Sequence, residues 1–340
     1  MSSMLILASV ASLIPFGNSM TVTAHVKDEA GSPAAGAVVK IWTDKDRYQG
    51  LARSPTYSYF EAITDTNGMA VITFPCHSQE FQCCAYGENY YRENGGRVYV
   101  KATLNYLTWK VTLLEHSKDI SFTLRRKRNP IPLCYARSTP GVVPLPKTSG
   151  EFGFDLMMDD WIAPYGDGKV ADFYVQRDAS PSNDQITVKS SIVFKGEGNG
   201  AYIRKKVKTT SDFTTDYEAD TNGIYQTCLP LRHYPAPKYP RYTYSAIVQE
   251  DEYIVMRTRV EKNEKGEIIK AHYSVMLGRV RIEKNFYWLI YYINPTPNDP
   301  NLEAALRRNV DLGREKKKRR RHRSDMFNHS PKGVIHEPQR

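Results

Sequence analysis

Apolar residues recur at every second position in one segment after another. Met20, Val22, Ala24 and Val26 alternate with Thr21, Thr23 and His25. The same alternation runs through Ala70–Ile72–Phe74, Val98–Val100–Ala102–Leu104, Trp109–Val111–Leu113 and Ile120–Phe122–Leu124. A period of two gives a strand one apolar face for a core and one wet face. Turn formers separate the runs at Asp28–Gly36 and Asp65–Gly68. With 23 Tyr, 20 Pro and 21 Gly in 340 residues, strands and turns dominate over long helices. Two antiparallel sheets packed face to face satisfy this pattern. A closed barrel of the same strands satisfies it too.

Residues 151–297 continue the theme. Ile186–Phe194 and Ala201–Val207 flank the turn Gly196–Gly200 and read as a hairpin. A second hairpin, Tyr253–Val260 with Glu267–Leu277, turns at Asn263–Gly266. Arg279–Glu283 and Phe286–Ile293 follow. The latter is apolar on both faces, as a covered central strand would be. The expected fold is all-β: an N-terminal sandwich over 20–124, a proline-rich linker over 125–150, and a second sandwich or half-barrel over 151–297. Asp299–Pro300 followed by Leu302, Ala305, Leu306 and Val310 predicts a short helix within 298–340. A disordered basic tail completes that segment.

The segment Val26–Ile41 carries Asp28, Gly31, Pro33 and Gly36, and Thr64–Phe74 carries Asp65, Gly68 and Ala70. In these residues the first domain resembles the carboxypeptidase regulatory-like module, a transthyretin-like β-sandwich. Bacterial immunoglobulin-like modules of intimin-type adhesins share much of the pattern. The resemblance covers about 100 of the 340 residues. It implies a fold and imports no catalysis, because the regulatory module is not the zinc-bearing domain of a carboxypeptidase. The stretches Thr43–Ser58 and Pro75–Gly96 read as insertions into a minimal module.

Residues Met4–Phe16 form an apolar stretch too short for a bilayer span, which takes about 20 residues. Small residues follow at Gly17 and Ser19, so residues 1–19 read as a signal peptide without a basic n-region. The expected location is secreted or periplasmic, at a bacterial cell envelope, with no membrane span after cleavage. Five cysteines, Cys76, Cys83, Cys84, Cys134 and Cys228, leave two readings open: disulfides of an exported protein, or buried thiols.

The net charge is +10, but residues 301–340 hold 12 Lys/Arg against 5 Asp/Glu. The body is therefore close to balanced, and a uniformly basic nucleic-acid-binding face is unsupported. The run Arg314, Lys316, Lys317, Lys318, Arg319, Arg320, Arg321 and Arg323 is a candidate contact for an anionic partner. A solvated tail is the plain alternative.

The chain has no GxSxG, HExxH, P-loop or GxGxxG motif and no pair of CxxC motifs. No cofactor and no metal are expected. Asp155, Asp159 and Asp160, or Glu250, Asp251 and Glu252, offer paired acids for glycoside chemistry, and Asp159, Asp160, Asp167 and Asp172 offer oxygens for calcium. Solvated acidic loops explain them as well. Tyr86, Tyr90, Tyr91, Tyr234, Tyr239, Tyr242 and Tyr244 sit in polar, proline-bearing stretches and are the candidate binding residues, because a planar ring anchors sugars or proteins at small entropic cost. The expected function is an exported, non-enzymatic binding or scaffolding protein of the envelope, with a glycan or envelope protein as partner. The alternatives are a glycan-active hydrolase with carboxylates in the second domain, and a nucleic-acid or anionic-polymer binder acting through the tail.

Overall fold

The computed structural model describes residues 18–44, 57–105, 110–137, 143–147, 149–182, 185–236, 239–278, 280–282, 286–288, 290–305, 308–313 and 315–316. Residues 1–17 of the expected signal peptide and most of the basic run lie outside them, while Ser19, its expected last residue, begins the first strand. The chain divides into two compact units, 1–127 with 208–214, and 128–207 with 215–340.

The first unit holds nine strands: β1 (Ser19–Asp28), β2 (Val38–Asp44), β3 (Tyr57–Ile63), β4 (Met69–Pro75), β5 (Glu80–Gly87), β6 (Tyr90–Tyr99), β7 (Ala102–Asn105), β8 (Lys110–Leu113) and β9 (Ser117–Leu124). Their alternating apolar residues fill one core between a three-stranded sheet, β4-β1-β9, and a four-stranded sheet, β3-β2-β5-β6. Met20, Val22, Ala24 and Val26 of β1 share that core with Val39 and Ile41 of β2 and with Phe74, Phe81 and Phe122. Strand β9 runs parallel to β1, and β4 antiparallel to it.

The two predicted turns are built by aspartate side chains. Asp28 Oδ1 accepts the amides of Ala30 and Ser32, and Asp65 Oδ1 those of Asn67 and Met69. Gly68, at φ +73°, lies so close to the Val26 carbonyl that a Cβ would stand 2.2 Å from its oxygen. Only glycine fits there. The stretch Pro75–Gly96, expected as an insertion, supplies β5 and most of β6, half of the four-stranded sheet. The other expected insertion falls largely on residues 45–56, outside the described residues.

Residues 208–214 pack with the first unit. Glu93 takes hydrogen bonds from the Thr210 amide and from the hydroxyls of Thr209 and Thr210. Phe213 stacks on Tyr91 at 4.9 Å and lies under the Arg125 guanidinium at 4.7 Å.

The second unit holds β10 (Cys134–Arg137), β11 (Val143–Pro144), β12 (Gly150–Asp155), β13 (Asp160–Trp161), β14 (Phe173–Ser182), β15 (Gln185–Val193), β16 (Gly200–Lys205), β17 (Cys228–Pro230), β18 (Arg232–Ala236), β19 (Tyr239–Ala246), β20 (Glu252–Lys262), β21 (Ile268–Leu277), β22 (Arg281–Ile282), β23 (Phe286–Trp288), β24 (Ile290–Ile293) and β25 (Val310–Asp311). A six-stranded sheet, β16-β20-β21-β24-β10-β25, and a five-stranded sheet, β13-β12-β14-β15-β17, bury a common core that includes Phe152, Phe154, Phe173, Met256, Met276 and Tyr291. The six-stranded sheet has a second apolar cluster of Tyr253, Val255, Ala271, Tyr273, Val275, Ala219 and Leu302. Both faces of β20 and β21 are thereby covered, which accounts for their nearly unbroken buried runs.

Four sequence expectations need correction. The segments around Gly196–Gly200 do not pair as a hairpin: β15 pairs with β14 and β17, while β16 pairs with β20. Arg257 Nε donates to the Gly198 carbonyl and Asn199 accepts the Val260 amide, tying that turn to β20 instead. The run Phe286–Ile293 splits into β23 and β24, which belong to different sheets. The proline-rich stretch 125–150 supplies β10 and β11 rather than a free connector. Finally, described residues 301–305 are extended, not helical. Ala304 bridges Ile131, and the buried Glu303 carboxylate accepts the amides of Arg128 and Asn129. Helical residues appear only at 312–313 and 315–316 among the described residues.

All five cysteines are free thiols, so the disulfide reading gives way to the thiol reading. Cys76, Cys83 and Cys84 are buried, and Cys228 is exposed. Burial pushes the Cys83 thiol up to about 12, with the neighbouring Cys84 adding to the effect. In native protein, a disulfide reagent such as Ellman's should titrate Cys228 at once and the three buried thiols only on unfolding. Because the folded Cys83 value lies above its ordinary 9.0, its contribution to stability is complete below that pH. It is lost as pH rises from about 9 towards 12, by about 1.4 kcal/mol per unit. Denaturant melts across that range should show the fall, and a flat profile contradicts it.

Candidate functional site

The tyrosines singled out from sequence separate into different environments. Tyr91 is buried against Phe213 and is a core residue, not a contact. Tyr90 is half-buried, with the Arg126 guanidinium 5.8 Å from its ring, and packs against the sandwich core. Tyr86 is half-buried near the end of β5, opposite Val38. Tyr234, Tyr239, Tyr242 and Tyr244 lie on the β18–β19 hairpin, where Tyr234 pairs with Tyr244, but their side chains fall outside the described residues. Of the basic run, Lys316 is described, and it is no free cation. Its ammonium lies 3.1 Å from Asp160 Oδ1 and donates to the Asp159 carbonyl. Arg314, Lys317, Lys318, Arg319, Arg320, Arg321 and Arg323 lie outside the described residues.

The best-equipped surface is the wet face of the four-stranded sheet in the first unit. On β2 the residues Val39, Ile41 and Thr43 are buried, so Val38, Lys40, Trp42 and Asp44 take the opposite face. Register places Tyr59 and Gln82 on either side of Trp42, and Glu61 and Cys84 on either side of Lys40. Tyr59 and Ile63 on the edge strand β3 are 59% and 70% exposed. Lys40 lies over the Tyr59 ring at 4.8 Å and pairs with Glu61 at 2.7 Å, which raises the lysine above its usual range. The Arg92 guanidinium stands 5.9 Å from the Trp42 ring.

A cleft of about 210 Å³ opens at one end of this sheet, where Thr43 and Asp44 finish β2, Tyr57 begins β3 and Glu80 begins β5. Trp42, Tyr57 and Phe81 supply rings, and Thr43, Asp44, Ser78, Glu80, Gln82 and Arg97 supply polar groups. The largely buried Glu80 carboxylate pairs with the exposed Arg97 guanidinium at 3.2 Å. Thr43 Oγ1 is buried on the core-facing side of β2, beside the Cys76 thiol. An aromatic ring beside a carboxylate, an amide, hydroxyls and a guanidinium is chemistry for binding a polyhydroxylated ring. Sequence reasoning missed Trp42, Glu80, Gln82 and Arg97. The available signal was a tryptophan at an outward position of β2, between the polar Lys40 and Asp44.

The acidic residues of the second unit are structural. Asp155 Oδ1 accepts the amides of Met157 and Met158, and its Oδ2 those of Lys169 and Val170. Asp172 accepts the Leu156 amide and the Thr258 hydroxyl. Arg259 closes the set: Nη2 donates to Asp155 at 2.7 Å and to Asp172 at 2.8 Å, and Nε donates to Asp172. Asp160 accepts the amides of Trp161 and Asp167 and pairs with Lys316. These carboxylates are buried and hold the loop 156–170 through its amides, so Asp155, Asp160 and Asp172 are not the solvated loop acids of the plain reading. Among the described residues no group of three or more His, Cys, Asp or Glu is arranged to hold a metal. In the other acidic stretch Glu252 accepts the Gln249 amide, and the carbonyls of Glu250 and Asp251 accept from Lys206, which closes a turn.

A wider, shallower trough of about 700 Å³ lies on the five-stranded sheet. Glu151, Gln176, Ser191 and Pro230 form one row across it. Glu151 is already held by Gln176 at 2.8 Å and by Lys195, which together lower its pKa. Among the described residues no aromatic ring lines this trough.

No protein-family profile matches the chain, and no curated protein does. Among solved structures it is similar to a 3-chlorocatechol 1,2-dioxygenase from Rhodococcus opacus 1CP, at 11% identity and TM-score 0.23, over 33% of this chain and 61% of the other. An intradiol ring-cleavage dioxygenase from Tetranychus urticae matches at 12% identity and TM-score 0.22, over 33% and 83%. The shaft pilin SpaA from Lactobacillus rhamnosus GG matches at 8% identity and TM-score 0.20, over 54% and 90%. The chain thus spans about three-fifths of the first dioxygenase. At these scores the likenesses carry no functional argument.

Arg259 is the keystone of the acidic cluster, at φ +54° in the β20 bulge. Arg259→Met leaves two buried carboxylates without their cation, and the expected loss is about 3–5 kcal/mol by denaturant unfolding. A loss below about 1 kcal/mol, the level of an exposed pair, would assign the loop's order to other contacts.

Proposed function

We propose that this chain is an exported, non-enzymatic binding protein of the bacterial cell envelope, secreted or periplasmic, that holds a glycan through its N-terminal sandwich. In this reading the first unit is a module of the carboxypeptidase regulatory-like kind and serves as a rigid support. Its buried faces fix β2, β3 and β5, and their wet faces present the ligand groups. The observation that carries the proposal is the cleft where Trp42 stands beside the Glu80–Arg97 pair and Gln82. Against the hydrolase alternative, Asp155 and Asp160 are engaged by backbone amides and basic side chains.

The test is binding of the purified protein to envelope polysaccharide fractions by co-sedimentation and calorimetry. Trp42→Ala should weaken binding by about tenfold or more, as expected for an aromatic anchor. The circular dichroism spectrum should stay unchanged. Wild-type protein that binds no envelope fraction contradicts the proposal.

A further inference from the structure

The tetrapeptide Asp-Thr-Asn-Gly occurs twice, as Asp65–Gly68 and as Asp220–Gly223. Both copies close in the same way. The aspartate Oδ1 accepts the asparagine amide, at 2.9 Å from Asn67 and 3.1 Å from Asn222, and the aspartate carbonyl accepts the glycine amide. What differs is the hold on the glycine. The Gly68 amide donates to Asp65 at 3.0 Å, and its carbonyl accepts the Val26 amide at 2.8 Å. The next residue, Met69, enters β4 with its own amide on Asp65 Oδ1. Among the described residues Gly223 makes one backbone hydrogen bond, to the Asp220 carbonyl at 3.3 Å. It is followed by Ile224, which is 90% exposed and lies in no strand.

The second copy is anchored at its feet. The Asp220 amide donates to the Tyr202 hydroxyl, the Tyr225 hydroxyl to the Asp220 carbonyl, and Arg257 Nη1 to the Thr221 carbonyl. Gln226 and Ala201 exchange amide hydrogen bonds. The tip, Asn222 to Ile224, extends past these contacts. Asn222 is exposed, and its carboxamide has no partner among the described residues. The chain has two further Asn–Gly pairs, and both are engaged. The Asn94 carboxamide donates to the Thr210 carbonyl and to Asp212, and that of Asn199 donates to the Lys195 carbonyl and accepts the Val260 amide.

An asparagine followed by glycine can close on itself, because glycine has no side chain to hinder its nitrogen from approaching the preceding carboxamide carbon. The nitrogen must first leave its hydrogen bond, and the backbone must rotate. The tip of the second copy meets both conditions, and the turn that launches β4 meets neither without opening.

We infer that Asn222 is a site of self-modification in the folded protein. The Gly223 nitrogen gives up its proton to solvent and forms a bond to Asn222 Cγ. The Cγ–Nδ2 bond breaks, and the nitrogen leaves with a proton as ammonia. Water then opens the five-membered succinimide to aspartate or isoaspartate. No electrons are exchanged, and water is the one co-reactant. The product carries a new negative charge two residues from Asp220, and its iso form lengthens the backbone by a methylene. This chemistry is independent of glycan binding.

The experiment incubates the full chain at mildly alkaline pH, native and in denaturant. Digestion and mass spectrometry then follow the four peptides that hold Asn–Gly pairs. In the native chain Asn222 should convert at least about tenfold faster than Asn67, whose turn must open first. In denaturant the two identical tetrapeptides should convert within a few-fold of each other. Asn222→Gln should remove the mass gain from its peptide, which separates Asn222 from the neighbouring Gln226. An intact Asn222, equal or faster conversion at Asn67, Asn94 or Asn199, a gain that persists in Asn222→Gln, or a tenfold preference that survives denaturation overturns the inference.

Discussion

Burial of every second side chain between paired sheets holds this protein together, and the rest of its organisation follows from it. A strand that turns one face to a core must turn the other outward. In the first unit the inward set, from Met20 to Leu124, fixes the two sheets face to face. The outward set is held by its strands and by cross-strand contacts such as those of Lys40 with Tyr59 and Glu61. Trp42 owes its position to Val39, Ile41 and Thr43 being buried around it. Where the alternation stops, at the ends of β2, β3 and β5, the sheet leaves an opening that polar groups line. The proposed ligand groups therefore sit on strands, whose positions are set more tightly than those of loops.

The second unit solves the same problem with more covering layers. Its six-stranded sheet is buried on both faces, and its acidic loop is drawn in by Arg259 and held by a fan of backbone amides. Carboxylates held in this way accept from donors that the loop and Arg259 already supply. Their oxygens are taken up by the loop they close. Acidic residues close in sequence are for this reason a poor guide to catalysis: Asp155 and Asp160 both serve loop closure through their neighbours' amides.

What was legible in the sequence was local. Strands β1, β4 and β9 follow from alternation, and the Asp28 and Asp65 turns follow from side chains that reach amides two and four residues ahead. The β20–β21 hairpin follows from Asn263 and Gly266, for the same reason. Partner choice was not legible. Gly196–Gly200 has hairpin chemistry, yet Arg257 reaches back to Gly198 and Val260 to Asn199, across more than fifty residues of sequence, and direct that turn to β20. The predicted helix after Pro300 had the right spacing but lost to the hydrogen bonds of Glu303 with residues 128 and 129. Of the candidate site, Tyr86 and Tyr91 were named as rings in a polar, proline-bearing stretch; they lie on strands β5 and β6, and Tyr91 is buried by Phe213, over a hundred residues away. The cleft residues Trp42, Glu80, Gln82 and Arg97 come from three strands, and only register brings them together.

The central claim is that ligand chemistry resides at the end of the β3-β2-β5-β6 sheet and that the acids of the second unit only hold structure. Mapping amide and indole resonances by nuclear magnetic resonance during titration with envelope saccharides tests it most directly. Shifts confined to residues around Trp42, Tyr57, Glu80, Gln82 and Arg97 are the expected result. Shifts concentrated on Asp155–Asp172 and Arg259, with the Trp42 indole unmoved, would contradict it.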